Sequence, residues 1–324
     1  MINSTDIIEV NSNTNSINLS GTFAQSDAKV EMLIDLFLSE QQVMGSSRKV
    51  YEWSIKRFFQ WCRQQRSPSI VTTSDILSYV EMLGKSGYSV KTISSYTVVV
   101  RKFFSWLSAK GQYPNIASGI KSPRKQKDTF TKMHLDMKER RDLLNYAMGC
   151  SERDYAIINL MLRNGLRTIE VSRLDVCDIT TRRGVRIMKL WRKGHLTKDS
   201  YVAITEEAYG PIARYLLTRK NILSSSPLFV TDGDGHRNSR LSPRRIQQIV
   251  RSGLVAIGLT GKEYSPHSLR HTTAVAILQN GGTIFDVQTV LGHASSSTSQ
   301  IYTKSIEEDI RLENPPENLI KNAF

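Results

Sequence analysis

Apolar positions recur with a helical period from about Lys29 onward. Val30, Leu33, Ile34 and Phe37 make one stripe, and Tyr51, Ile55, Phe58 and Cys62 make a second. Ile76, Tyr79, Val80 and Leu83 make a third, with Ser74 read as its N-cap and Gly84 near its stop. Ile93, Tyr96, Val100, Phe103 and Leu107 make a fourth, which ends before Gly111. The β-branched run Thr97 to Val100 lowers helix propensity, but the spacing still favours a helix. Residues 29–120 are therefore expected to form a helical bundle. Aromatic residues at this spacing read as core, not as a base-stacking surface.

The pattern changes after that. Residues 1–28 are rich in Asn, Ser and Thr without lysine or arginine before Lys29, and read as a flexible tail. K-S-P-R-K-Q-K-D opens a basic linker, residues 121–131, with no apolar period. Residues 132–324 are mixed. Leu143, Leu144 and Ala147 suggest a helix, and Ala156 to Leu162 a buried one. Gly184 to Trp191 and Tyr201 to Ile204 read as strands joined by R-K-G-H-L-T-K-D. Ser242-Pro243 is an N-cap with proline at the first helical position. A further helix is expected to start after His267 and to end at Asn280-Gly281-Gly282. Thr283 with Asp286 resembles a capping box for a last helix to about Leu291.

Composition narrows the function. The formal net charge of +14 across 324 residues is the footprint of a protein that meets a polyanion, because lysine and arginine displace counterions from phosphates. Hydrophobic content of 40% supports real cores. Cys62, Cys150 and Cys177 are far apart and form no C-x-x-C, so neither a zinc ribbon nor a disulfide framework is indicated. A reducing cytosol is expected, with no signal peptide and no membrane span.

The chemistry lies in five short stretches. S-P-H-S-L-R-H contributes His267, Arg270 and His271. L-G-H contributes His293, and Q-I-Y-T-K contributes Tyr302. Upstream, N-G-L-R-T-I-E-V carries Arg167 and Glu170, and the strand–strand turn carries Lys193. A tyrosine that cuts a phosphodiester forms a covalent ester. Its transition state spreads negative charge over the phosphate oxygens and needs fixed cations, for which forked guanidinium groups are suited. The leaving sugar oxygen needs a general acid. His267 and His271 stand i, i+4, but Ser268 occupies the place of the glutamate in H-E-x-x-H, so a zinc pair is disfavoured and His271 reads as internal support.

In this order, G-L-R-T-I-E-V, R-K-G-H, H-S-L-R-H, L-G-H and Q-I-Y-T-K resemble the tyrosine recombinase, or phage integrase, family, over about residues 30 to 305. The likeness is to its simple Xer-like or mobile-element type without an arm-binding domain. It implies a mostly α fold with a small β-sheet. An N-terminal, SAM-like core-binding bundle and a mixed α/β catalytic domain would form a clamp around DNA.

The resemblance also implies roles. Arg167 and Arg270 hold the scissile phosphate, Lys193 protonates the leaving 5′ oxygen, and His267 manages the tyrosine proton. His293 hydrogen-bonds the phosphate, and Tyr302 forms the 3′-phosphotyrosine. Glu170 orients its neighbours. Lys189 and Lys198 compete for the acid role, and R-K-G-H departs from the family's G-K-G. Lys91, Ser95, Arg101 and Lys102 on the bundle, Lys121, Arg124 and Lys125 in the linker, and Arg244, Arg245 and Gln248 after Pro243 are the expected DNA contacts.

The expected reaction is site-specific recombination through a Holliday junction, for integration, excision or resolution of a mobile element. No cofactor is expected, metal or ATP. The expected partners are paired DNA core sites, a homotetramer on DNA and accessory DNA-bending proteins. The short tail E-N-L-I-K-N-A-F is read as a subunit-exchange segment. A type IB topoisomerase and a non-catalytic DNA-binding regulator are the alternatives.

Overall fold

The computed structural model describes residues 27–43, 45–65, 71–123, 133–192, 195, 197–232 and 238–292. The chain divides into two compact units, residues 1–128 and 129–324. Among the described residues no helix is long and apolar enough to cross a membrane.

Among the described residues the first unit has four helices: α1 (Asp27–Glu40), α2 (Gly45–Gln64), α3 (Thr73–Lys85) and α4 (Val90–Ala109). Their apolar stripes meet in one core. Leu33, Ile34, Phe37, Ile55, Phe58, Ile76, Leu83, Phe103 and Leu107 are buried there. The aromatic side chains pack edge to face, with Phe37 against Phe103 at 5.4 Å and Phe58 against Tyr79 at 5.2 Å. Burial of Thr97, Val99 and Val100 outweighs their weak helix propensity, and the Thr97 hydroxyl donates to the Ile93 carbonyl at 2.8 Å. The N-cap of α3 is Thr72, not Ser74. The Asp75 carboxylate accepts the Thr72 backbone N–H at 2.7 Å, a reciprocal cap that Ser74 cannot form.

The second unit begins with α5 (Met137–Cys150), α6 (Glu152–Asn164) and the short α7 (Thr168–Ser172). Three antiparallel strands follow, in the order β1 (Ile179–Arg182), β2 (Val185–Leu190) and β3 (Ser200–Ala203). Met188 pairs with Val202 and Thr180 with Ile187. Then come α8 (Glu206–Leu217), α9 (Pro243–Ala256), α10 (Pro266–Gln279) and α11 (Ile284–Leu291). Ala156, Ile157, Leu160 and Met161 of α6 are fully buried, so this helix is the unit's central post.

Two elements go beyond the sequence pattern. β1 is I-T-T-R at the sheet edge, too polar to show alternation. α8 contains Gly210-Pro211, a pair that reads as a breaker, yet Pro211 and Ile212 are buried within it. One helix boundary is corrected. α10 starts at Pro266 rather than after His267, because Ser265 caps it and its N–H bonds the Ser268 hydroxyl at 3.1 Å. His267 therefore sits in the first turn. Thr283 and Asp286 cap α11 reciprocally, and Gly292 ends it at φ 60°.

Candidate active site

The site is built where α6 ends. Gly165 has φ 61°, and a Cβ there would stand 2.3 Å from Leu291 Cδ2 and 3.3 Å from Thr273. Only glycine lets the end of α6 lie this close to α10 and α11. Leu166 is buried in the core, and the next residue, Arg167, is the N-cap of α7. The Arg167 backbone N–H donates to Glu170 Oε2 at 2.9 Å, and its Nη1 donates to Oε1 at 2.8 Å.

Arg270 reaches the same place from α10. It is 1% exposed. Its Nη1 donates to the Gly165 carbonyl at 2.6 Å and its Nη2 to the Leu291 carbonyl at 2.5 Å. Arg192, just past β2, is also buried, and donates to Leu291 O at 2.8 Å and Val290 O at 3.0 Å. Glu170 is fully buried between them. Its Oε2 lies 3.7 Å from Arg192 Nη1 and 4.0 Å from Arg270 Nη1. A lone buried carboxylate is costly, and here three guanidinium groups surround one. The group keeps a surplus of positive charge.

A cleft of about 540 Å³ opens beside this group, and Arg167, Arg270 and His267 line it together. Gln247 and Arg251 of α9 form another part of its wall. Sequence reasoning missed Gln247. It chose Arg244, Arg245 and Gln248 from the same helix, although Gln247 and Arg251 are spaced i, i+4 on one face. Arg251 Nη1 donates to the Gly261 and Tyr264 carbonyls at 3.1 Å each, and so fixes the loop that delivers Ser265 and His267. His271, one turn on from His267, is fully buried and packs edge-on to His134 at 5.6 Å. Burial, and then the neighbouring His134 and His267, push its pKa down to about 3.

Lys193, His293 and Tyr302 lie outside the described residues, as do Arg124 and Lys125. Their described neighbours, Arg192 and Gly292, are in contact. A Cβ on Gly292 would stand 2.6 Å from the Arg192 guanidinium carbon. Of the two competing lysines, Lys189 is exposed on β2. Lys198 donates to Asp175 and Asp178 at 2.6 Å each. Burial opposes its charge, but the two carboxylates prevail and hold its pKa above the usual lysine value.

Candidate nucleic-acid surfaces occur in each unit. In the first, Lys91, Ser95, Arg101 and Lys121 line one groove of about 1180 Å³. Lys102 stands beside it, with Nζ 2.8 Å from the Tyr51 hydroxyl and over that ring. In the second, Arg244, Arg245 and Gln248 are exposed on α9, and Arg245 donates to Gln248 at 3.3 Å.

Comparison with known proteins agrees with this layout. A model described as the phage integrase family matches residues 134–309, and one described as the phage integrase N-terminal SAM-like domain matches residues 33–111. Tyrosine recombinase XerA of Pyrococcus horikoshii is 28% identical over 282 residues, covering 86% of this chain and 91% of its own. Tyrosine recombinase XerC of Herpetosiphon aurantiacus is 27% identical over 288 residues, covering 85% and 90%. Among solved structures, the XerH site-specific recombinase in a post-cleavage complex with difH DNA superposes with a TM-score of 0.71 at 19% identity, covering 90% of this chain and 85% of its own. A lambda integrase dimer bound to a core site gives 0.65 at 15% identity, covering 84% and 94%. The likeness to these two is one of fold. With a family model covering more than half its length, the chain belongs to the phage integrase family, the tyrosine recombinases, which break and rejoin DNA.

Proposed function

We propose that the protein is a site-specific recombinase that exchanges strands between paired DNA sites. The observation that carries this is the convergence of Arg167, Arg270 and His267 on one cleft, backed by buried Glu170. In the proposed reaction the Tyr302 oxygen attacks phosphorus and its proton passes to His267. A tyrosyl–phosphorus bond forms as the bond from phosphorus to the 5′ oxygen breaks, and Lys193 protonates that leaving oxygen. Arg167 and Arg270 hold the non-bridging oxygens, joined by His293. Loss of one such donor lowers cleavage by about 10²–10³-fold. A 5′ hydroxyl from the partner duplex then attacks the ester and releases the tyrosine. The phosphoester bond is conserved, so the exchange consumes no nucleotide.

Two rounds of exchange within a tetramer would pass through a Holliday junction, and a mobile element is the proposed setting. The DNA complexes among the structural relatives support DNA as the partner. The basic groove of the first unit and the exposed arginines of α9 supply contacts to it. The test is covalent trapping on nicked duplexes made from DNA that flanks the gene. Wild type should form an adduct at a defined position and Tyr302→Phe should form none. An adduct with the phenylalanine variant would remove Tyr302 from its role. Relaxation of unrelated supercoiled DNA by a monomer would replace recombinase with topoisomerase.

A further inference from the structure

Arg192 occupies a costly position. It is 3% exposed, and its Nε, beside Gly292, has no acceptor among the described residues. A buried cation with an open donor is a poor stabiliser, and an apolar side chain of similar volume would serve the core as well or better. Its surroundings are those of the proposed phosphate clamp. Arg192 Nη1 and Arg270 Nη2 donate to the same oxygen, the Leu291 carbonyl, at 2.8 and 2.5 Å. Arg192 and Arg270 also flank the same Glu170 oxygen, at 3.7 and 4.0 Å, while Arg167 takes the other at 2.8 Å. The negative charge of Glu170 is thus shared by Arg167, Arg192 and Arg270.

Remove the Arg192 cation, and the whole of that charge falls on the two arginines that face the cleft. The field they present to a phosphate weakens, and the Leu291 carbonyl loses one of the two donors that fix it beneath Arg270. We propose that Arg192 is a positioning residue of the strand-cleavage site. Its charge balances Glu170, which leaves Arg167 and Arg270 to act on the scissile phosphate. This rests on the recombinase reading above, and extends it to a position where R-K-G-H differs from the family's G-K-G.

The test uses the full-length protein and nicked duplexes carrying its cleavage site, with strand-cleavage rate and DNA affinity measured separately. Arg192→Gln should cleave at least tenfold more slowly while binding DNA within about threefold of wild type. Arg192→Lys, which keeps the charge, should recover most of the rate. The double variant Arg192→Gln/Glu170→Gln should cleave faster than Arg192→Gln alone, because it removes the charge that Arg192 offsets. Because the two groups touch, a role in folding alone also lets the second substitution offset the first, but it then restores thermal stability and rate together. Recovery of rate without a matching recovery of stability upholds the proposal, and recovery of both in step overturns it.

A substrate with a methyl group replacing one non-bridging oxygen at the scissile phosphate carries no charge there, and should narrow the gap between wild type and Arg192→Gln. Arg167→Ala is the reference for that substrate. If neither variant is relieved, the clamp reading fails. If Arg167→Ala is relieved and Arg192→Gln is not, only the role of Arg192 fails. Should Arg192→Gln not fold, Arg192→Lys decides. A rate near wild type upholds the proposal, and a tenfold loss in a folded protein overturns it.

Discussion

His271 shows how closely two like residues can stand and still differ in use. His267 lies in the first turn of α10 at the cleft, and His271, one turn later, is sealed in the core. Its pKa near 3, against an ordinary value of 6.5, gives a signed prediction. Below pH 6.5 the unfolded chain takes up a proton at this residue, and the folded chain takes none until about pH 3. Stability is therefore complete above pH 6.5 and declines as pH falls towards 3, by up to about 1.4 kcal/mol per pH unit. Denaturant unfolding from pH 7 to 4 should show that loss in wild type and a shallower one in His271→Gln. Equal slopes would mean that His271 takes up its proton while folded. At this scale the sequence was readable where chemistry is local. The order of Arg167, Glu170, His267 and Arg270 is visible in short motifs. Arg192 was overlooked because its role depends on Val290 and Leu291, about a hundred residues away, which no local pattern can show.

At the scale of the element, the ion pairs of Lys198 beside the strand pair β2–β3 favour Lys193 as the proposed acid. Its far end is stapled on both sides of the turn. Arg173 lies over the Trp191 ring at 4.6 Å, and the Trp191 indole N–H donates to the His195 carbonyl at 2.7 Å. Lys198 is held at this same end of the sheet by Asp175 and Asp178. Lys193→Ala should thus lose cleavage on ordinary DNA and regain it when sulfur, a better leaving group, replaces the 5′ bridging oxygen. Lys198→Met should lose thermal stability and show no such recovery. Recovery by the Lys198 variant instead would transfer the acid role. The cap of α11 was legible because it is written in residues three apart, Thr283 and Asp286, whereas the like pair Thr72 and Asp75 was passed over for Ser74. β1 and α8 were not legible, since an edge strand has little to bury and a glycine–proline pair masks a helix held by its neighbours.

At the scale of the molecule, the charge of +14 gains an address in each unit. Lys91, Arg101 and Lys121 share one groove, and Arg244 and Arg245 stand exposed on α9. If that groove tracks a phosphate backbone, affinity should fall steeply with salt. Alanine at Lys91, Arg101 and Lys121 should flatten the plot of log affinity against log salt by about 0.9 per lost contact. Lys56→Ala is the control, since Lys56 is paired with Glu31 and Glu52, and the slope should not change. An unchanged slope in the triple variant would move the DNA elsewhere. Overall charge announced a polyanion, but only folding could gather three cations from α4 and the segment after it.

The carbonyl of Leu291 has a consequence for the order in which the protein is made. Arginines 167, 192 and 270 all leave the ribosome before the oxygen that fixes two of them. A nascent chain can contain its first helical bundle and most of its second unit before it contains the one acceptor that these two arginines share. The arginine cluster is thus among the last parts to be completed, and a polypeptide broken off before residue 291 would contain the residues of the basic groove without the carbonyl that joins Arg192 to Arg270.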